Sequence, residues 1–215
     1  MLKNGMILDI EAAKILAEKG IDVGVHSFGS CDYDIPVIQD CNPGFYEYYI
    51  DEDEKVGIYG ALGSRELILD EKAALSSTIY NRGREFPGSF YYENDEGMKF
   101  FVYNFDAQRA NKVRGASKSY CRERQLAKAY EWLSEKPFPA LCQGNPYLYT
   151  MCKKDDKAMA VGLWNCFSDS IDEPEIKLDK RYSRIEFVNC DGTLSGDTVT
   201  LSKLGAYEFA FFEVK

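Results

Sequence analysis

The chain has 215 residues, of which 45% are hydrophobic and 28% charged, so it is long enough to bury a core and too apolar for wholesale disorder. Its 26 Lys and Arg against 35 Asp and Glu leave a net charge of −9, which repels phosphate backbones and anionic bilayers and argues against a nucleic-acid or membrane-surface protein. Aromatic residues reach 14%, with 15 Tyr and 13 Phe, which favours strands.

The first predicted element is a short helix. Asp9 caps it, Glu11 sits in the first turn, Ala12, Ile15 and Leu16 form an apolar stripe, and Lys19 with Gly20 marks the stop. Residues 21–25 read as a short buried strand, and residues 29–43 as loop. Strands are then predicted over residues 45–49, 56–62, 66–69, 75–80 and 89–92, with the acidic run Asp51, Glu52, Asp53 and Glu54 as a turn. Asn94-Asp95-Glu96-Gly97 is a strong turn signal before residues 98–105, whose almost unbroken apolar text predicts a central strand buried on both faces.

A second helix is predicted over residues 119–134. Leu126, Tyr130 and Leu133 form its apolar stripe, and Arg122, Glu123, Arg124 and Lys128 its wet face. The rest reads as strand and turn: residues 146–152, 158–167, 175–178, 183–190, 197–201 and 207–214, with Asp191-Gly192 as a hairpin signal. The expected class is mixed α and β but β-rich: a small α/β part with two main helices wrapped around or beside a β-sandwich over residues 1–140, then a second, C-terminal β-sandwich module over residues 141–215.

The motifs that carry chemistry are few. The seven cysteines are scattered with no CxxC pair, which predicts no zinc site and suits small buried hydrophobes in a reducing compartment. The apolar run before Asp9 is too short for a signal peptide and no stretch is long enough to span a bilayer, so a cytoplasmic location is expected. His26 is the single histidine, so a hydrolase built on it would draw on Ser27 or Cys31. The plainer reading is a loop or core histidine. Gly57, Gly60 and Gly63 follow GxxGxxG, which is neither a dinucleotide fingerprint nor a P-loop and reads as a bulge or tight turn. No cofactor is expected. Asp32, Asp34, Asp51, Glu52, Asp53, Glu54, Asp169, Asp172 and Glu173 offer carboxylates, but sequence does not show two of them opposed across a sugar, and turn-like acidic runs are normally solvated. Tyr46, Tyr48, Tyr49, Tyr91, Tyr92, Tyr147, Tyr149 and Trp164 offer ring faces for sugar C–H groups, although alternating aromatics in strands serve cores more often. From this set Tyr46, Tyr48, Tyr91, Tyr147 and Trp164 are the candidate sugar-binding residues.

Several stretches in order resemble a known family. Residues 4–16 with Gly20 and Gly24-Val25 are similar to the "GLLLDGEAAxxLxxRG…GV" segment of large bacterial glycoside hydrolase-like proteins. Tyr92-Glu93-Asn94-Asp95-Glu96-Gly97, Val102-Tyr103-Asn104-Phe105, Arg124-Gln125-Leu126, Trp132-Leu133, Gly144-Asn145-Pro146-Tyr147 and residues 162–169 continue the pattern. In that family the text comes after a catalytic (β/α)₈ barrel and covers the end of a glutamine-amidotransferase-like domain and a terminal β-sandwich, much as in trimerising β-galactosidases. The resemblance implies an amidotransferase-like remnant with a β-rich insertion over residues 1–140. No catalytic residue of the family maps onto this chain, because the reactive carboxylates belong to the barrel. The resemblance therefore implies a non-catalytic accessory region with a structural or oligomerisation role and weak sugar binding, the alternative being a carbohydrate-binding module. The implied partners are carbohydrate, an upstream catalytic barrel or a second copy.

Overall fold

A computed structural model describes residues 5–31, 46–57, 62–81, 83–108, 119–142, 144–145 and 147–215. The chain divides into two compact units, Met1–Glu135 and Lys136–Lys215.

In the first unit, β1 (Met6–Asp9) runs straight into α1 (Ile10–Glu18), followed by β2 (Val25–Cys31), β3 (Tyr46–Tyr49), a 3-10 turn at Ile50–Glu52 and β4 (Glu54–Gly57). Then come β5 (Arg65–Leu69), β6 (Ala74–Asn81), β7 (Arg84–Glu93), β8 (Lys99–Tyr103) and α2 (Tyr120–Ser134). Six of these strands form one sheet in the order β1-β8-β7-β6-β3-β4, parallel between β1 and β8 and antiparallel elsewhere. The α/β character resides in β1, α1 and β8. β2 and β5 form a separate antiparallel ribbon.

Alternation along β8 feeds a core on each face of the sheet. Phe100 and Val102 pack with Leu8, Ile10, Ala13, Phe90 and Tyr92 under α1, and side chains of the β2–β5 ribbon (Val25, Phe28, Leu67, Leu69) close over them. Phe101 and Tyr103 pack with Ile79, Phe86, Phe105 and Ala129 under α2. The predicted central strand, buried on both faces, is therefore present. Asp9 caps α1 by accepting from the Ala12 amide at 2.8 Å, and Gly20 ends it at φ 81°.

Three local expectations are corrected. The helix buries Ile10 and Ala13 while Ile15 is exposed, because β1 leads directly into α1 and its pairing with β8 sets the helix phase. Residues 21–24 are not strand. β2 starts at Val25, and Gly24 at φ 80° packs against the Tyr92 ring where a Cβ would collide. Asp191-Gly192 is not a hairpin turn, since Gly192 already pairs with Leu201 and the two-residue loop is Gly196-Asp197, with Gly196 at φ 66°.

The second unit contains β9 (Ala140–Cys142), β10 (Leu148–Lys154), β11 (Met159–Asn165), β12 (Ile171–Asp172), β13 (Glu175–Leu178) and β14 (Ile185–Phe187). It ends with β15 (Gly192–Ser195), β16 (Thr198–Leu201), β17 (Lys203–Leu204) and β18 (Phe209–Val214). Two four-stranded antiparallel sheets, β10-β11-β18-β14 and β15-β16-β13-β9, enclose a core of Met159, Val161, Leu163, Ile176, Leu178, Val199, Leu201, Ala210, Phe212 and Val214. The molecule is thus β-rich, with two helices among the described residues, a small α/β part and a β-sandwich.

Candidate functional site

The five candidate aromatics fall in both units. In β3, Tyr46 and Tyr48 point to one face of the sheet, while Glu47 and Tyr49 point towards α2. The Tyr46 ring stacks on Tyr80 of β6 with centroids 5.1 Å apart and planes 15° from parallel. The Tyr48 hydroxyl donates to Asp53 at 2.9 Å, which raises its pKa. Tyr91 of β7 lies on the opposite face, against Phe101 at 4.7 Å and edge-on to Trp132 of α2 at 5.2 Å. The sheet therefore separates Tyr91 from Tyr46 and Tyr48. Tyr49 and Tyr92 of the wider aromatic set are core residues.

Tyr147 and Trp164 belong to the second unit and are 39% and 46% exposed. They share the outward side of β10 and β11, because Tyr149 pairs with Trp164 and the Tyr147 carbonyl accepts from the Cys166 amide at 2.9 Å. Tyr149 lies between them in β10 and is 60% exposed. Phe167 stacks on Tyr147 at 4.5 Å. Buried Asn165 fixes this end of β11, its amide donating to the Asp169 and Gly205 carbonyls at 2.7 and 2.8 Å while its side-chain oxygen accepts from the Phe167 amide at 2.9 Å. Phe209 of β18 pairs with Trp164 and joins the same face. Its place is signalled by the alternation of Phe209, Phe211 and Glu213 against buried Ala210, Phe212 and Val214.

A buried polar cluster lies inside the first unit, and in it Arg122 departs from the expected wet face of α2. Arg122 and Glu47 are each 1% exposed. The Arg122 guanidinium donates to Glu47 and to the Gln125 carbonyl, and the Gln125 amide donates to Ser76 and Ser89 at 2.9 and 2.6 Å. Glu47 also accepts from Ser77 at 2.6 Å and from Tyr49 at 3.1 Å. The Arg122 Nε–H meets no acceptor among the described residues, and ring faces surround it instead: Tyr103 at 4.7 Å, Phe105 at 5.0 Å and Tyr49 at 5.2 Å. Burial by itself would depress the Arg122 pKa, but the adjacent Glu47 and the tyrosines outweigh it and raise it. The cluster is a closed ion pair between helix and sheet, positioned to hold α2 rather than to meet solvent.

Several of the other charged candidates also have partners. Glu52 bonds Arg124 at 2.8 Å and Lys128 at 3.0 Å, Asp51 lies 3.6 Å from Lys128, and Glu54 accepts from the Cys121 thiol at 2.9 Å. The hydrogen bond from Lys128 holds Glu52 below its usual pKa. The acidic turn is therefore clamped onto α2, and the expectation that Arg124 is simply solvated is corrected with it. Asp172 pairs with Lys203 at 3.5 Å. Asp32, Asp34 and residues 58–61 of the glycine-rich stretch lie outside the described residues. His26 is exposed on β2 with Nε2 3.5 Å from Asp70 Oδ2. Cys31 is buried five residues further along, on the order of 15 Å away, so the strand does not join the two. The six described cysteines form no disulfide. Among the described residues no group of three His, Cys, Asp or Glu is placed to hold a metal ion, and no helix is long and apolar enough to cross a membrane.

No protein-family model matches the chain, and no curated protein matches it. Among solved structures it is similar to α-L-fucosidase isoenzyme 2 from Paenibacillus thiaminolyticus, with a TM-score of 0.52 at 11% identity over 90% of this chain. The fold is shared with part of a glycoside hydrolase. The chain spans 34% of the length of that fucosidase. A GH42 β-galactosidase from G. stearothermophilus gives a TM-score of 0.44 at 12% identity over 99% of this chain and 28% of its own. A β-galactosidase from Bacillus circulans sp. alkalophilus gives 0.44 at 6% identity over 89% and 24%.

Proposed function

We propose that this chain is a non-catalytic accessory region of a carbohydrate-active, glycoside hydrolase-like protein, which supports a neighbouring catalytic part or joins copies of the protein. The observation that carries the reading is the fold shared with the fucosidase, of which it spans 34%. A (β/α)₈ barrel takes upwards of about 200 residues, whereas here the chain is invested in a mostly antiparallel layer and a β-sandwich. The buried acid Glu47 is used to neutralise Arg122. The reading carries a cytoplasmic setting with it, on the cysteine usage. It is tested by assaying the full chain against a panel of aryl glycosides. No turnover is expected, and turnover abolished by neutralising one carboxylate, with the fold retained, would refute it.

A second reading, a carbohydrate-binding module, is favoured by one observation: Tyr147 and Trp164 present rings on the outer side of the sandwich, unlike Tyr91, which is packed against α2.

A further inference from the structure

The outward face of the β10-β11-β18-β14 sheet is aromatic at one end and charged at the other. Tyr149, Trp164 and Phe209 stand opposite one another on three neighbouring strands. The next level is Met151, Gly162 and Phe211, and the level after it Lys153, Ala160 and Glu213. Neighbouring strands lie about 4.8 Å apart, so the three rings make a line roughly 10 Å long. A Cβ on Gly162 would fall 2.7 Å from Phe209 Cε2 and 2.8 Å from Cζ, so the edge of the Phe209 ring rests over the glycine, tilted 59° from the Trp164 ring with centroids 5.6 Å apart. Tyr147, one level beyond Tyr149, extends the face.

Tyr147, Tyr149 and Trp164 are exposed and Phe209 is half-buried, and exposed aromatics grouped on one face mark a binding surface. The Trp164 and Tyr149 side chains make no hydrogen bond with the described residues, so their indole N–H and hydroxyl remain available beside the ring faces. That combination suits a sugar, which offers an apolar C–H face ringed by hydroxyls. The charged residues of the face sit at its far end, and the net charge of −9 disfavours an anionic ligand.

We propose that this face is a stacking platform for a neutral, extended glycan of two or more sugar rings laid across β10, β11 and β18. The proposal rests on the carbohydrate-associated reading above. Its test uses the full chain run through native gels containing a neutral β-galactan, a neutral β-glucan or an anionic polygalacturonate. Retardation is expected on at least one neutral gel and not on polygalacturonate. Trp164→Ala and Tyr149→Ala should each weaken binding about tenfold, the loss typical of a central aromatic anchor. Because Tyr149 is mostly exposed, its truncation leaves the core intact if Trp164→Ala does not fold. Gly162→Ala keeps every aromatic but displaces the Phe209 ring, and should also weaken retardation, whereas Ile15→Ala, at an exposed position of α1, should leave it unchanged. Free mobility on both neutral gels overturns the proposal, as does equal retardation of wild type and Tyr149→Ala. Concentration-dependent self-association abolished by Tyr149→Ala, without retardation, overturns it in favour of a second copy. None of these results touches the accessory reading, which fails only on carboxylate-dependent turnover.

Discussion

Replacing Arg122 with Met removes the guanidinium and keeps most of the stem that fills the space between Tyr49, Tyr103 and Phe105. The Glu47 carboxylate is then left in the interior with two neutral donors, the Ser77 hydroxyl at 2.6 Å and the Tyr49 hydroxyl at 3.1 Å. Breaking a buried pair in this way costs about 3–5 kcal/mol, mainly because the remaining charge stays desolvated. Glu47→Gln strands the opposite charge and should cost roughly 3 kcal/mol. The double variant removes both charges; its Gln carbonyl keeps one of the two hydroxyl bonds and its amide NH2 turns to the oxygen of the other hydroxyl, so it should lose only about 1–2 kcal/mol. The two substitutions are thus expected to couple by about 3 kcal/mol or more. Urea unfolding followed by Trp132 emission, in a Trp164→Phe background, reads the first unit directly because Trp132 sits on α2 against Tyr91. Additive losses, or a loss below about 1 kcal/mol in either single variant, would refute the argument that the pair is closed and mutually required.

Two further outcomes are expected. Asn104 is fully buried, accepts from the Arg65 amide at 2.9 Å and donates to the Arg65 and Pro87 carbonyls at 2.8 and 2.7 Å, so Asn104→Ala should cost about 3 kcal/mol and speed hydrogen exchange at the Arg65 amide. Stability should also fall on the alkaline side. Burial, then the hydrogen bond to Glu54, pushes the Cys121 thiol up to about 11 from 9.0, so the fold retains the proton. The associated stability is complete below the unfolded pKa of 9.0 and is lost as pH climbs towards about 11, a decline of order 2 kcal/mol. Burial also raises Tyr49, Tyr92 and Tyr103, which extends the decline to higher pH. Urea midpoints measured across this range should drop, and Cys121→Ser should flatten the first part of the drop. A flat profile would contradict the burial of these groups.

Much of the fold was legible in residue order. The cap at Asp9, the stop at Gly20, the Asn94–Gly97 turn and the continuous apolar text of β8 are local signals, and local hydrogen bonds realise them. The turn at Gly196-Asp197 was not legible although Gly-Asp is a hairpin signal, because Asp191-Gly192 five residues before it competes for the same role. Of the candidate site, the aromatic alternation named Tyr147 and Trp164, but alternation does not distinguish an outer face from an inner one. Tyr91 and Trp164 look alike in sequence, and only packing against α2 separates them.

By itself the sequence determined a β-rich chain with two capped helices, strands at nearly their observed places and a net acidic charge, since propensity, capping and periodicity act over a few neighbouring residues. Only the tertiary structure decided the rest. Arg122 and Glu47 are 75 positions apart and Arg122 reads as part of a wet helix face, yet each is buried because the other neutralises it. Tyr149, Trp164 and Phe209 come from three separate stretches, and only strand pairing sets them in one line. Burial and alignment are relations between distant residues, and those relations exist only once the sheets have formed.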